Sequence, residues 1–180
     1  PVFYQEGVLF TSDRSSGMTD ESVYEWTNYG YLDLYYSTPD YFRDFWTAMS
    51  PPKRMSDVFN QTWHDGPVSF SADGQTIFLT RTTKSKVRRD ENNFRTSLLK
   101  IYVGEVSGKQ RVAYEPFPYN SETYSVGHPT VSADGSKLIF SSDMFGGFGG
   151  SDLYVSEKID GKWSKPQNLG PQVNTFGNEV

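Results

Sequence analysis

The residues best equipped for chemistry are two pairs of carboxylates, Asp13 with Asp33 and Asp143 with Asp152. In each pair one Asp closes an apolar segment and the other opens the next, so neighbouring strands would bring them close together. Such pairs serve as general acid and base on a glycosidic bond, or as oxygen ligands for calcium. The middle of the chain breaks the series, because Arg81 and Lys100 stand where the flanking segments carry Asp, giving a minus, plus, minus order. Pairing between neighbouring segments and capping of loops accounts for all three cases, whereas catalysis or calcium accounts for two. The carboxylates are therefore assigned to structure.

Other chemical signals are weaker. The glycines of 146–150 miss the spacing of a dinucleotide fingerprint, which would need Gly at Asp152, and of a calcium roll, which would place Asp at Ser151. They read as a flexible turn. Ser71-Ala72-Asp73-Gly74 lacks the spacer and the Trp of a sialidase Asp-box. No nucleophile elbow, Walker loop or His-Glu-x-x-His occurs, and Asn60-Gln61-Thr62 is a glycosylation sequon without mechanistic weight. With no Cys and only His64 and His128, neither a thiolate nor a histidine-rich zinc site is available. No catalytic, cofactor or metal residue is assigned.

Composition narrows the classes further. A net charge of −5 and a pI near 5.0 disfavour a phosphate-backbone binder, so no nucleic-acid partner is expected. No apolar run reaches the ~18 residues of a membrane helix, so direct membrane insertion is not expected. Residues 1–10 lack a basic region and a cleavage site and read as the interior of a fold rather than a leader. The abundance of Tyr (12) and Phe (13) over Met (4) favours strands, and the expected class is all-β.

The elements that would hold these residues repeat. Ser71-Ala72-Asp73-Gly74 recurs as Ser132-Ala133-Asp134-Gly135, each with a Pro before it (Pro67, Pro129) and an apolar strand after it. Lys100-Ile101-Tyr102-Val103 answers Asp152-Leu153-Tyr154-Val155. A divergent copy opens the chain, with Gln5-Glu6-Gly7 as its turn and Asp33-Leu34-Tyr35 as its later strand. The units are 1–66, 67–128 and 129–180. Each holds four strand candidates, the last near Phe45, Arg111 or Trp163, which is the content of one propeller blade. Asp73-Gly74 and Asp134-Gly135 read as hairpin turns in which Gly takes positive φ. A polar connector beginning with Asn60, Asn120 or Asn174 follows the fourth strand of each unit. Asn is expected there for its tolerance of left-handed backbone, with the aromatic soon after it wedged between blades.

Ser12-Asp13-Arg14, Ser141-Ser142-Asp143, Asp33-Leu34-Tyr35 and Asp152-Leu153-Tyr154 resemble the TolB-type, WD40-like propeller repeat. More narrowly, Val126-Gly127-His128-Pro129, Gly146 to Tyr154 and Asn168 to Thr175 resemble the propeller of Bacteroidota OmpA-family envelope proteins, some of which serve type IX secretion and gliding. The resemblance implies a β-propeller of four-stranded antiparallel blades, three of them present. It also implies a periplasmic, outer-membrane-associated location and envelope protein partners.

Three blades cannot close a ring of four to eight, so further blades from a longer chain or from another copy are expected. Binding is expected on the face carrying the variable loops, 14–31, 82–98 and 144–151. The candidates are Tyr24, Trp26, Tyr29 and Tyr31 in the first loop, Lys84, Lys86, Arg88 and Arg89 in the second, and Phe145 and Phe148 in the third. The bland alternatives are aromatics folded over blade edges and a solvated basic hairpin tip. The expected function is a non-catalytic scaffold or protein-interaction module of an envelope assembly; a glycan-binding or glycan-cleaving propeller is the alternative.

Overall fold

The computed structural model describes residues 1–14, 30–40, 48–82, 88–89, 95–107 and 111–180. They form two compact units, Pro1–Pro67 and Val68–Val180. Regular structure is entirely β, and no helix occurs among the described residues.

The first unit holds an antiparallel sheet of β1 (Val2–Tyr4), β2 (Gly7–Ser12), β3 (Asp33–Ser37) and β4 (Lys53–Arg54), paired in that order. Tyr4 faces Gly7 across a two-residue hairpin, and Gln5 takes the positive φ of 50° there. Period-2 alternation sorts the side chains. Leu9 and Leu34 bury completely on one face, while Phe10 and Tyr35 stack at 6.3 Å on the other. The fourth strand is Lys53–Arg54; Phe45, expected near it, lies outside the described residues.

In the second sheet β5 (Asp65–Phe70), β6 (Thr76–Thr82), β9 (Leu99–Ser107) and β10 (Arg111–Pro116) pair in the order β10-β9-β6-β5, with the two-stranded β7 (Arg88–Arg89) and β8 (Arg95–Thr96) between β6 and β9 in sequence. The third sheet runs β11 (Val126–Val131), β12 (Lys137–Ser142), β13 (Asp152–Ile159) and β14 (Lys162–Trp163), and β15 (Gln167–Asn168) also pairs with β13. Pro129 lacks a ladder donor and sits where the β11 register shifts between Gly127 and Thr130. Asp160-Gly161 makes the β13–β14 hairpin with φ of 49° and 78°, the doubly positive pattern of a type I′ turn.

The second and third sheets share one core. Phe78, Ile101, Phe117, Val126, Leu138, Phe140 and Tyr154 are buried together, with Trp163 packed against them. Phe117 meets Phe140 at 5.4 Å and Trp163 at 6.0 Å, both edge-on. Polar bonds cross between the sheets as well, from the His128 amide to Thr80 Oγ1 (2.9 Å) and from the Val131 amide to Ser69 Oγ (3.1 Å). Each fully buried Phe, Leu or Ile contributes about 1.5–3 kcal/mol, so this cluster is a large source of the unit's stability. Antiparallel all-β architecture is thus present. The described residues do not show a propeller of three blades.

Candidate interaction face

The Ser-Ala-Asp-Gly turns are built identically. In the first, the Gly74 amide donates to the Ser71 carbonyl (2.8 Å), Ser71 Oγ bonds Asp73 Oδ1 (2.6 Å) and accepts from the Thr76 amide (2.9 Å), and Asp73 Oδ1 accepts from the Gln75 amide (3.0 Å). The second repeats every bond on Ser132, Asp134, Gly135, Ser136 and Lys137. Hydroxyl and amide donors stabilise the anion, which lowers the pKa of Asp73 from 3.8 and brings that of Asp134 to about 2. Gly74 and Gly135 take φ of 69° and 70°. A Cβ there would touch nothing, so the demand for Gly is purely one of backbone conformation.

At the opposite ends of the strands lie the connectors. The three Asn residues open them for a reason other than the expected one, since none has positive φ. Each side-chain amide instead forms a two-bond rung with a third-strand residue. Asn60 accepts from the Leu34 amide (2.7 Å) and donates to its carbonyl (3.0 Å); Asn120 does the same with Ile101 (2.9 and 2.7 Å) and Asn174 with Leu153 (2.8 and 3.0 Å). The amide satisfies the backbone N–H and adds a second donor to a carbonyl that already accepts a backbone amide, from Met55, Phe117 or Leu169. Asn60 and Asn174 are almost fully buried.

Next to each rung stands a charged residue, the first of its strand at Asp33 and Asp152 and the second at Lys100. Asp33 pairs with Arg54 (2.5 Å), which also reaches Asp57 (2.9 Å). Burial alone would lower the Arg54 pKa, but the hydrogen bonds and charges of Asp33 and Asp57 raise it. Lys100 pairs with Glu122. Asp152, 1% exposed, accepts from the Phe148 amide (2.6 Å), the Gly149 amide (3.2 Å) and Asn168 Nδ2 (2.8 Å). Asp143 accepts from the Ser125 amide (2.6 Å), and Asp13 is exposed. Asp143 and Asp152 thus bond different partners, and Asp33 is taken up by Arg54. Strand register also moves one position: Arg81 opposes Lys100 as Ser142 opposes Asp152 and Ser12 opposes Asp33. The counterpart of Asp143 is therefore Thr82, not Arg81. Arg81 is 4% exposed, with its guanidinium over the rings of Tyr102 and Tyr114.

The glycine loop is a tight fit rather than a flexible turn. A Cβ on Gly147 would strike Asp152, one on Gly149 the carbonyls of Thr175 and Gly177, and one on Gly150 the Asn178 side chain. The Gly150 amide donates to the Gly177 carbonyl (2.7 Å) and the Glu179 amide to the Ser151 carbonyl (2.8 Å). This seats residues 175–179 on the loop and leaves Phe145 and Phe176 almost wholly exposed and Phe148 42% exposed. The aromatics after the connector Asn differ accordingly. Trp63 packs edge-on to Tyr31 at 5.3 Å and Tyr124 joins the shared core, but Phe176 faces solvent. Tyr31 also meets His64 at 4.9 Å.

Tyr24, Trp26, Tyr29, Lys84 and Lys86 lie outside the described residues; Arg88 and Arg89 are placed by backbone alone, as β7 opposite β8. A solvent-open hollow of about 400 Å³ is lined by Arg54, Asp57, Asn60, Gln61 and Thr62. Among the described residues no cluster of three His, Asp or Glu could hold a metal ion. No family model matches this chain, and no curated protein matches it.

Proposed function

We propose that this chain is a non-catalytic interaction module, a run of β-propeller blades that presents its loop and connector face to a protein partner in a cell-envelope assembly. The observation that carries this reading is the use to which its polar residues are put. Asp33, Asp73, Asp134, Asp143 and Asp152 each accept hydrogen bonds from, or pair with, neighbouring chain, while Phe145, Phe148 and Phe176 are exposed on the loops and connectors. Aromatics held out on a tightly seated loop suit partner binding, because little ordering entropy is lost on contact. The three sheets and their repeated rungs support the blade reading. Periplasmic, outer-membrane association and a role in type IX secretion rest on the motif resemblance alone.

Capture from solubilised envelope fractions tests the module. Phe145→Ser combined with Phe148→Ser should abolish recovery of the partner while leaving thermal unfolding within about 0.5 kcal/mol of the parent, as for exposed positions generally. Equal recovery by parent and variant would refute the assigned face. The same exposed rings could stack on sugars, so a panel of polysaccharides belongs in the assay. Saturable glycan binding lost in the double variant would replace protein recognition with glycan recognition.

A further inference from the structure

Four Asp-Gly dipeptides occur in the chain, beginning at Asp65, Asp73, Asp134 and Asp160, and Asn-Gly does not occur. Asp followed by Gly is able to modify itself. The backbone nitrogen of the Gly attacks the Asp side-chain carboxyl carbon, an N–C bond forms, and the hydroxyl of the protonated carboxyl leaves as water. The five-membered succinimide is then opened by water at one of its two carbonyls. One opening restores Asp; the other gives isoaspartate, in which the main chain runs through the side-chain carboxyl. One water leaves and one enters, so neither an oxidant nor a cofactor is needed. Gly favours the reaction because no Cβ shields its nitrogen or narrows its φ. Attack also requires that nitrogen and carbon meet in a reactive geometry.

Three of the four sites are held away from that geometry. Asp65 is fully buried and accepts the Gln61 amide (2.5 Å). At Asp73 the attacking group is already committed, since the Gly74 amide donates to the Ser71 carbonyl (2.8 Å), while the carboxylate is turned toward Ser71 Oγ and the Gln75 amide. Asp134 repeats this arrangement, with the Gly135 amide on the Ser132 carbonyl (2.9 Å), and Ser136 Oγ adds bonds of 2.8 Å to each carboxylate oxygen. The serine hydroxyls and the amides lower the pKa of both carboxyls, which leaves less of the protonated acid to react. Asp160 differs on every count. Asp160 and Gly161 are exposed between β13 and β14, and among the described residues the Asp160 carboxylate and the Gly161 amide have no hydrogen-bond partner.

We propose that Asp160-Gly161 is the isoaspartate-forming site of this chain, and that conversion there weakens the third sheet. The hairpin turn has two residues, and a β-linked residue lengthens its main chain by one atom. The pairs Ile159–Lys162 and Lys158–Trp163 then lose their register. Trp163 is packed against the core shared by the second and third sheets, so the change reaches inward from an exposed turn. This inference stands apart from the partner reading above and uses none of its residues.

Ageing of the 180-residue chain in warm neutral buffer over several weeks, followed by peptide mapping, reads all four sites in one sample. Normal and isoaspartyl peptides have equal mass and separate by chromatography, and the succinimide is lighter by one water. Conversion at Asp160 should exceed that at Asp65, Asp73 and Asp134 by about tenfold or more, because those three react only after local opening. In concentrated urea, where the folded contacts are gone, this spread should collapse. Ser132→Ala, which removes a donor from Asp134, should raise conversion at Asp134 alone; a variant that has unfolded is recognised by equal rises at Asp65 and Asp73. Absence of conversion at Asp160, or native rates at the other three that match it, overturns the site. Chain converted at Asp160 should unfold at lower urea than fresh chain, and an unchanged midpoint overturns the effect on the sheet.

Discussion

Asn174 holds the amide and the carbonyl of Leu153 with one side chain, and it donates to Asn168 Oδ1 (2.8 Å) besides. Removing it strands the Leu153 amide, at a cost of about 1–3 kcal/mol, whereas the Leu153 carbonyl keeps the Leu169 amide (3.0 Å). Asn174→Ala should therefore lower unfolding free energy by about 1–3 kcal/mol in urea titrations, and Asn120→Ala, at a less buried position, by less. Asn174→Asp should not rescue the loss, because a carboxylate facing the Leu153 carbonyl repels it. Titration gives a second test at this scale. The folded pKa of Asp134, about 2, lies below its ordinary 3.8. The stability it confers is therefore present above 3.8 and lost as pH falls through the folded value. NMR of the Asp134 carboxyl should show a midpoint near 2, moving toward 3.8 in Ser132→Ala, which deletes its strongest donor. The histidines carry the same sign. Burial lowers both from 6.5, and His64 Nδ1 accepts the Leu32 amide, so urea midpoints should fall as pH drops from about 7.5 to about 5. His64→Gln should reduce that slope.

Turns and loops divide by what their glycines do. At Gly74 a Cβ meets no neighbour but the φ is left-handed, so Gly74→Ala should cost about 1–2 kcal/mol and Gly74→Asn less. At Gly149 the obstacle is space, because a Cβ drives into the carbonyls of Thr175 and Gly177. Gly149→Ala should unseat residues 175–179, read as faster hydrogen exchange at the amides of Gly150 and Glu179, whose acceptors are Gly177 and Ser151. A uniform rise in exchange across the third sheet would contradict this local account. The two turn types also differ in how openly the sequence declares them. Ser-Ala-Asp-Gly closes through bonds among six consecutive residues, so its tetrapeptide carries the whole instruction, as does Asp160-Gly161 with its paired positive φ values. The glycine loop is shaped by Asp152 together with chain 25 or more positions away, at 175–179, and the loop's own residues read equally well as a flexible turn.

At the scale of the whole chain, stability of the Val68–Val180 unit depends on rings that join two sheets. Phe117 touches Tyr119, Phe140 and Trp163 and is 1% exposed, so Phe117→Ala should cost about 3–5 kcal/mol, followed by Trp163 fluorescence on heating. Composition and the spaced repeats were enough to specify an all-β chain of antiparallel sheets, because alternation and turn chemistry act within a few residues. Only the folded chain decided register, and with it that Thr82 rather than Arg81 matches Asp143; a shift of one position exchanges the two faces of a strand and leaves the local pattern unchanged. It also decided that the connector Asn residues are rungs, with Asn60 reaching back 26 positions to Leu34. Last, it decided which apolar rows are covered: Phe78 and Ile139 sit at matching places in their strands, but burial depends on what lies across from each, and that is set by packing between sheets.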